Sequence, residues 1–123
     1  MFQKMLQGGS GGSASSFQFS TDEQKTNMKW LDGKPLYTKT ITTNVGINGN
    51  NVSIKHNIPN VDKIFVDSAF LNKTDGTSYV LPYTTTKFTS IYADRTHLTF
   101  VSTDTWPTNY EKAITVIYTK TTD

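Results

Sequence analysis

Turn signals and β-branched residues recur so often along this chain that they interrupt every window of helix length. Asp32-Gly33, Asn48-Gly49-Asn50-Asn51, Pro59-Asn60, Asp75-Gly76 and Ala93-Asp94-Arg95 each interrupt it. Glycine reaches positive φ without strain, proline fixes φ, and Asn or Asp bonds its own backbone, so these residues turn the chain. The stretches between them are short and rich in Thr, Val, Ile, Phe and Tyr, which suit a pleated, half-buried surface. The 123 residues include 21 Thr, 7 Phe and 6 Tyr against only 2 Glu. The expectation is an all-β chain.

The strand candidates follow from period-two alternation. Tyr37, Ile41 and Val45 alternate with threonines. Val52, Ile54, His56 and Ile58 share one face of a strand stopped by Pro59-Asn60. Val61–Leu71 is apolar on both faces at Ile64-Phe65-Val66, as a central strand would be. Tyr79-Val80-Leu81, Phe88–Tyr92 and Leu98–Val101 are shorter, and Lys112–Lys120 turns Ile114, Val116 and Tyr118 inward. Ser20–Glu23 has the composition of a turn cap, the run to Met28 shows no period, and Pro35 argues against a central strand near it. About seven to eight short strands spaced this way predict an antiparallel β-sandwich over residues 17–123.

Residues 1–16 read differently. Gly8 to Ser16 is a Gly/Ser run, predicted to be a flexible tether. Ahead of it, Phe2, Met5 and Leu6 are spaced to line one face of a helical turn. Two readings stand: an artificial linker, or an assembly anchor in which these three side chains plug into other proteins of a larger particle.

Composition excludes several functions. The net charge of +2 is spread over scattered lysines with a single Arg, Arg95, whereas nucleic-acid binding needs a concentrated basic face. No Cys is present, which removes disulfides, thiolate metal sites and thiol nucleophiles. No segment approaches the roughly 20 apolar residues of a membrane span. Met1–Leu6 is too short for a signal peptide. A protein made in the cytoplasm, and leaving it only by lysis or in a particle, is expected.

No catalytic constellation emerges. His56 and His97 lie on different predicted strands and outside any metal-ligand spacing. His56 is expected at a core edge with its ring hydrogen-bonded, and His97 in solvent. Asp32, Asp62, Asp75, Asp94 and Asp104 all stand beside turns, where they cap backbone amides rather than pair for glycosidic cleavage. The Gly8-Gly9-Ser10-Gly11-Gly12 run precedes no predicted strand–helix unit, so it is read as neither a nucleophile elbow nor a phosphate-cradling glycine loop. Asn72–Gly76 is read as a turn, not a calcium loop. No enzymatic activity, cofactor or metal is expected.

The aromatic residues are more informative. Trp30, Tyr83, Trp106 and Tyr110 fall in or beside predicted loops. Sugar-binding surfaces use such rings to stack against C–H faces, with Asp, Asn and Thr bonding the hydroxyls. Asp104-Thr105-Trp106-Pro107-Thr108-Asn109-Tyr110 has that composition, so Trp106, Tyr110, Asp104, Asn109 and Tyr83 are candidate glycan-binding residues. The alternative is that these rings cap the end of the sandwich or fill a subunit interface.

Four segments carry a resemblance. Phe19-Ser20-Thr21-Asp22-Glu23-Gln24 and Trp30-Leu31-Asp32-Gly33-Lys34-Pro35-Leu36-Tyr37-Thr38-Lys39-Thr40 open the domain. His56–Ile64 and Ile117–Asp123 complete the set. Together they resemble a C-terminal β-domain of bacteriophage tail-fibre and minor virion proteins, strongly over the first twenty residues and the last seven and loosely between. The resemblance implies a structural protein of the virion surface, of tail-fibre, head-fibre or decoration type. It also implies a homotrimer and contact with host cell-surface polysaccharide. This chain has a sixteen-residue leader where the family has a long shaft, which favours docking on the virion. A decoration or joining subunit without a host ligand, and a free carbohydrate-binding module, are the rival expectations.

Overall fold

The structure, a computed structural model, describes residues 19–123. The 1–16 leader with Phe2, Met5 and Leu6 lies outside these residues. Eleven strands, and no helix, are found among the described residues. They are β1 (Gln24–Lys29), β2 (Pro35–Thr43), β3 (Ile47–Asn48), β4 (Val52–Lys55), β5 (Val61–Asn72) and β6 (Ser78–Val80). β7 (Tyr83–Thr84), β8 (Phe88–Ala93), β9 (His97–Ser102), β10 (Thr105–Trp106) and β11 (Glu111–Lys120) follow. A five-stranded sheet in the order β1-β2-β11-β5-β6 packs against a four-stranded sheet in the order β4-β9-β8-β7, and β10 pairs with β3 in a small ribbon. Every pairing is antiparallel. The all-β, antiparallel, sandwich-like expectation holds. Eight strands are three residues or longer, and three are two-residue ribbons at the corners.

The core follows from alternation. On β11, Ile114, Val116 and Tyr118 face inward, beside Ile41, Lys39 and Tyr37 of β2 and Ala69, Val66 and Ile64 of β5. Leu98 and Phe100 of β9 meet them from the other sheet and are fully buried. Each such side chain contributes about 1.5–3 kcal/mol relative to exposure. β11 is buried on its second face as well, through Thr115, Ile117 and Thr119. There the threonine hydroxyls satisfy one another and the backbone: Thr40 Oγ1 lies 2.8 Å from Thr115 Oγ1, and Thr38 donates to the Val116 carbonyl. Buried hydroxyls paired in this way carry no desolvation deficit.

Three local readings are corrected. The stretch to Met28 is strand β1, an edge strand whose polar sequence suits its exposure, tied down by Thr26 Oγ1 donating to the Leu36 carbonyl. Pro35 opens β2, an internal strand, from its first position, where proline is tolerated in a sheet. β4 ends at Lys55, yet His56 and Ile58 beyond it remain buried. In β5, Thr115 pairs with Ser68 and Val116 with Val66, which leaves Asp67 as the extra residue of a bulge.

Candidate functional site

One end of the sandwich gathers the candidate aromatic residues. β10 is held against β3 by backbone pairing, by Thr105 Oγ1 donating to Asn48 Oδ1, and by Gly49 N–H donating to the Asp104 carbonyl. This fixes Trp106 beneath the loop. Ring centroids of Tyr79, Tyr83 and Tyr110 lie 5.2, 6.0 and 5.6 Å from Trp106, all tilted or edge-on. Those separations are the preferred spacing of aromatic pairs. The sequence placed Trp106, Tyr83 and Tyr110 together. It missed Tyr79, whose strand position on β6 gave no sign of a loop-end role.

Trp106 is the root of the cluster rather than its surface. Only 5% of it is exposed, and its Nε1–H donates to Thr89 Oγ1 at 2.7 Å. Thr89 in turn hydrogen-bonds Ser102 Oγ, which accepts from Asp104 N–H and lies 3.1 Å from the Asp104 carbonyl. The indole therefore terminates a buried hydroxyl chain that pins the corner between β9 and β10. Its ring is not displayed for stacking, which corrects its place in the candidate glycan surface. Tyr79, Tyr83 and Tyr110 are half-buried, Asn109 is exposed, and Asp104 Oδ1 caps Thr105 N–H. A sugar ring at this end would meet the tyrosines and Asn109.

Two cations border the cluster. Lys73 Nζ lies 5.9 Å above the Tyr110 ring and 3.7 Å from Asp75. Asp75 first, then Tyr110, push its ammonium pKa upward. Lys112 is fully buried, with Nζ donating to the Pro107 carbonyl at 2.9 Å. Burial pulls its pKa down, because no carboxylate pairs with it among the described residues.

The opposite end of the domain joins the segments that are distant in sequence. Asp32 Oδ1 caps Lys34 N–H, and Gly33 turns at φ +87°. Lys34 Nζ meets Asp62 Oδ2 at 3.0 Å, with Lys63 and Arg95 each 3.6 Å from that carboxylate. The Lys34 hydrogen bond foremost holds Asp62 below the usual carboxylate range. Thr119 Oγ1 accepts from Lys63 N–H, Thr121 N–H donates to the Asn60 carbonyl, and Tyr37 Oη donates to Asp123. Glu23 accepts from Tyr118 Oη and Lys120 Nζ. Burial alone would raise the Glu23 carboxyl, but these two bonds outweigh it and hold its pKa down. Lys120 also sits 4.3 Å above the Tyr37 ring. The four segments that carry the resemblance thus form one connected network.

His56, 3% exposed, has both ring nitrogens engaged: Nδ1 accepts from Ile58 N–H, and Nε2–H donates to the Asp94 carbonyl. His97 is half-buried rather than solvated. Among the described residues no group of three His, Asp or Glu side chains is placed to hold a metal ion. No family model matches the chain, and no curated protein or solved structure does either.

Proposed function

We propose that this chain is a structural protein of a bacteriophage particle, displaying its β-sandwich on the virion surface as a tail-fibre, head-fibre or decoration subunit. One observation carries the reading. The opening Phe19–Gln24 and Trp30–Thr40 segments, the His56–Ile64 segment and the closing Ile117–Asp123 segment meet around Asp62 and Glu23. The segments that resemble the phage domain are therefore joined by one hydrogen-bond and ion-pair network at one end of the fold, which supports the reading. In this reading the leader is the anchor, with Phe2, Met5 and Leu6 docking on other virion proteins, the domain assembles as a homotrimer, and the protein performs no catalysis.

Attachment to host-surface glycan through Tyr83, Tyr110 and Asn109 is the ligand reading, favoured by three half-buried tyrosines at one loop end. A decoration subunit without a host ligand is the second reading, favoured by the burial of Trp106 and its bond to Thr89. Deleting residues 2–7 tests the virion assignment: loss of incorporation into particles with a folded domain is expected, and normal incorporation refutes the anchor. Glycan-array binding that disappears in Tyr110→Ala supports attachment. Binding unchanged in that variant refutes this loop, and no binding at all favours decoration.

A further inference from the structure

A cleft of about 290 Å³ opens between the loop after β4 and the β8–β9 turn, at the end of the sandwich away from Trp106. That volume lies at the lower edge of small-molecule sites. Its buried floor is His56 and Ile58. His56 has no free ring nitrogen, so the floor offers shape and apolar contact rather than reactive groups.

The walls are cationic. Lys55 stands on one side and Arg95 on the other, and no carboxylate lines the cleft. Lys55 has no ion pair among the described residues. Arg95 is steadied from behind: Nε–H donates to the Asp62 carbonyl at 3.0 Å, and Nη2 reaches the Asp62 carboxylate only at 3.6 Å. Asp62 already holds Lys34 at 3.0 Å, and the Arg95 side chain is 70% exposed. Its fork is positioned but not consumed, the state in which guanidinium receives an oxyanion well. Asp94, the nearest carboxylate in sequence, spends Oδ1 on the Thr96 and His97 amides and the Thr96 hydroxyl.

That last bond also orients His97. The Thr96 hydroxyl lies 3.1 Å from Asp94 Oδ1 and 2.7 Å from His97 Nδ1, and so ties the imidazole to the turn. With Nδ1 engaged there, Nε2 is the ring nitrogen left for a ligand, in a residue that lines the cleft. An imidazole nitrogen bonds a hydroxyl as acceptor or as donor, according to its tautomer. Two cations and one imidazole nitrogen thus line a small cleft floored by His56 and Ile58. Tyr92, 53% exposed, shares the outer sheet face with His97.

We propose that this cleft binds a hydroxylated oxyanion, a sugar phosphate or a sugar carboxylate. Lys55 and Arg95 take the anionic group, and His97 Nε2 takes a neighbouring hydroxyl. The proposal stands independently of the virion assignment.

Amide chemical shifts of the full ¹⁵N-labelled chain, titrated with glucose 6-phosphate, glucuronate, inorganic phosphate and glucose, test it. Shifts confined to residues 55–58 and 95–97 are expected with at least one sugar anion, which identifies phosphate or carboxylate as the preferred group. Glucose is expected to bind at least tenfold more weakly. The Lys55→Ala/Arg95→Ala double variant, both side chains being at the surface, should keep the native spectrum and lose at least tenfold in affinity. His97→Phe should weaken the sugar anion several-fold while leaving inorganic phosphate unchanged. Shifts elsewhere, no shifts with either sugar anion, or equal affinity in the double variant would overturn the proposal.

Discussion

Thr89→Val is a demanding test of the corner that holds Trp106, because side-chain shape and polarity predict opposite outcomes. Thr89 is fully buried, and valine reproduces its outline. On apolar transfer alone, exchanging a hydroxyl for a methyl in the core gains roughly 1 kcal/mol. The hydroxyl, however, accepts from Trp106 Nε1–H at 2.7 Å and bonds Ser102 Oγ at 2.8 Å. Valine leaves a buried indole donor without its acceptor, at a cost of about 1–3 kcal/mol, and removes a second bond worth about 1 kcal/mol. Ser102 keeps the Asp104 amide and so is not orphaned. The net expectation is a loss of about 2 kcal/mol, or roughly 8–16 °C in Tm for a domain of this size. Urea unfolding followed by tryptophan fluorescence reads it directly. Thr89→Ser is the control: it keeps the hydroxyl, gives up one methyl, and should cost about 1 kcal/mol. A Thr89→Val protein as stable as the parent, or more stable than Thr89→Ser, would refute the hydrogen-bond account of this corner.

Three further outcomes are expected. Lys112→Met should raise stability at neutral pH by about 1–2 kcal/mol, since a buried ammonium with one acceptor costs more to desolvate than that bond returns. Its depressed pKa penalises the fold below the ordinary lysine value of 10.5, so the advantage should fade as pH rises towards that value; denaturant midpoints at pH 7 and pH 10.5 check both parts. Asp67→Asn should stabilise by roughly 1 kcal/mol at pH 7, because the bulge buries Oδ2 without a partner and burial raises the carboxyl pKa; thermal melts should show that gain shrinking as pH falls towards 3.8. Glu23, Asp62, Asp75 and Asp94 all have lowered pKa values. Their stabilisation is complete above the ordinary values of 4.5 for Glu and 3.8 for Asp and is lost as pH falls through the lowered ones. Melting temperatures from pH 7 to pH 2 should therefore fall, and less steeply in Glu23→Gln.

The strands legible in the sequence were those whose two faces differ or whose apolar run is long. Val61–Leu71 and Lys112–Lys120 match β5 and β11 within a residue. Turn chemistry was equally readable, and Asp32, Asp75, Asp94 and Asp104 each cap a backbone amide. Asp62 departed from that pattern because its partners, Lys34 and Arg95, are 28 and 33 residues away. β1 was missed since an edge strand needs no apolar period, and β10 because two residues carry no period at all. At the aromatic cluster, composition identified the rings but not their burial. Whether an indole faces solvent depends on what lies beneath it, here Thr89 on another strand. Lys112 stands in phase with the inward Ile114, Val116 and Tyr118, but a lysine at a strand end ordinarily reaches solvent, so its burial was hidden too.

The position of β11 bears on how the protein is made. The strand spanning residues 111–120 lies between β2 and β5 and is hydrogen-bonded to both. A nascent chain that has emerged only through Tyr110 has two halves of its larger sheet and no middle to join them. Synthesis proceeds from the N-terminus, so the facing edges of β2 and β5 wait, unpaired at their meeting line, until residues 111–120 have emerged. Pairings this distant in sequence close slowly. The larger sheet therefore closes in one step, when residues 111–120 insert between its two halves.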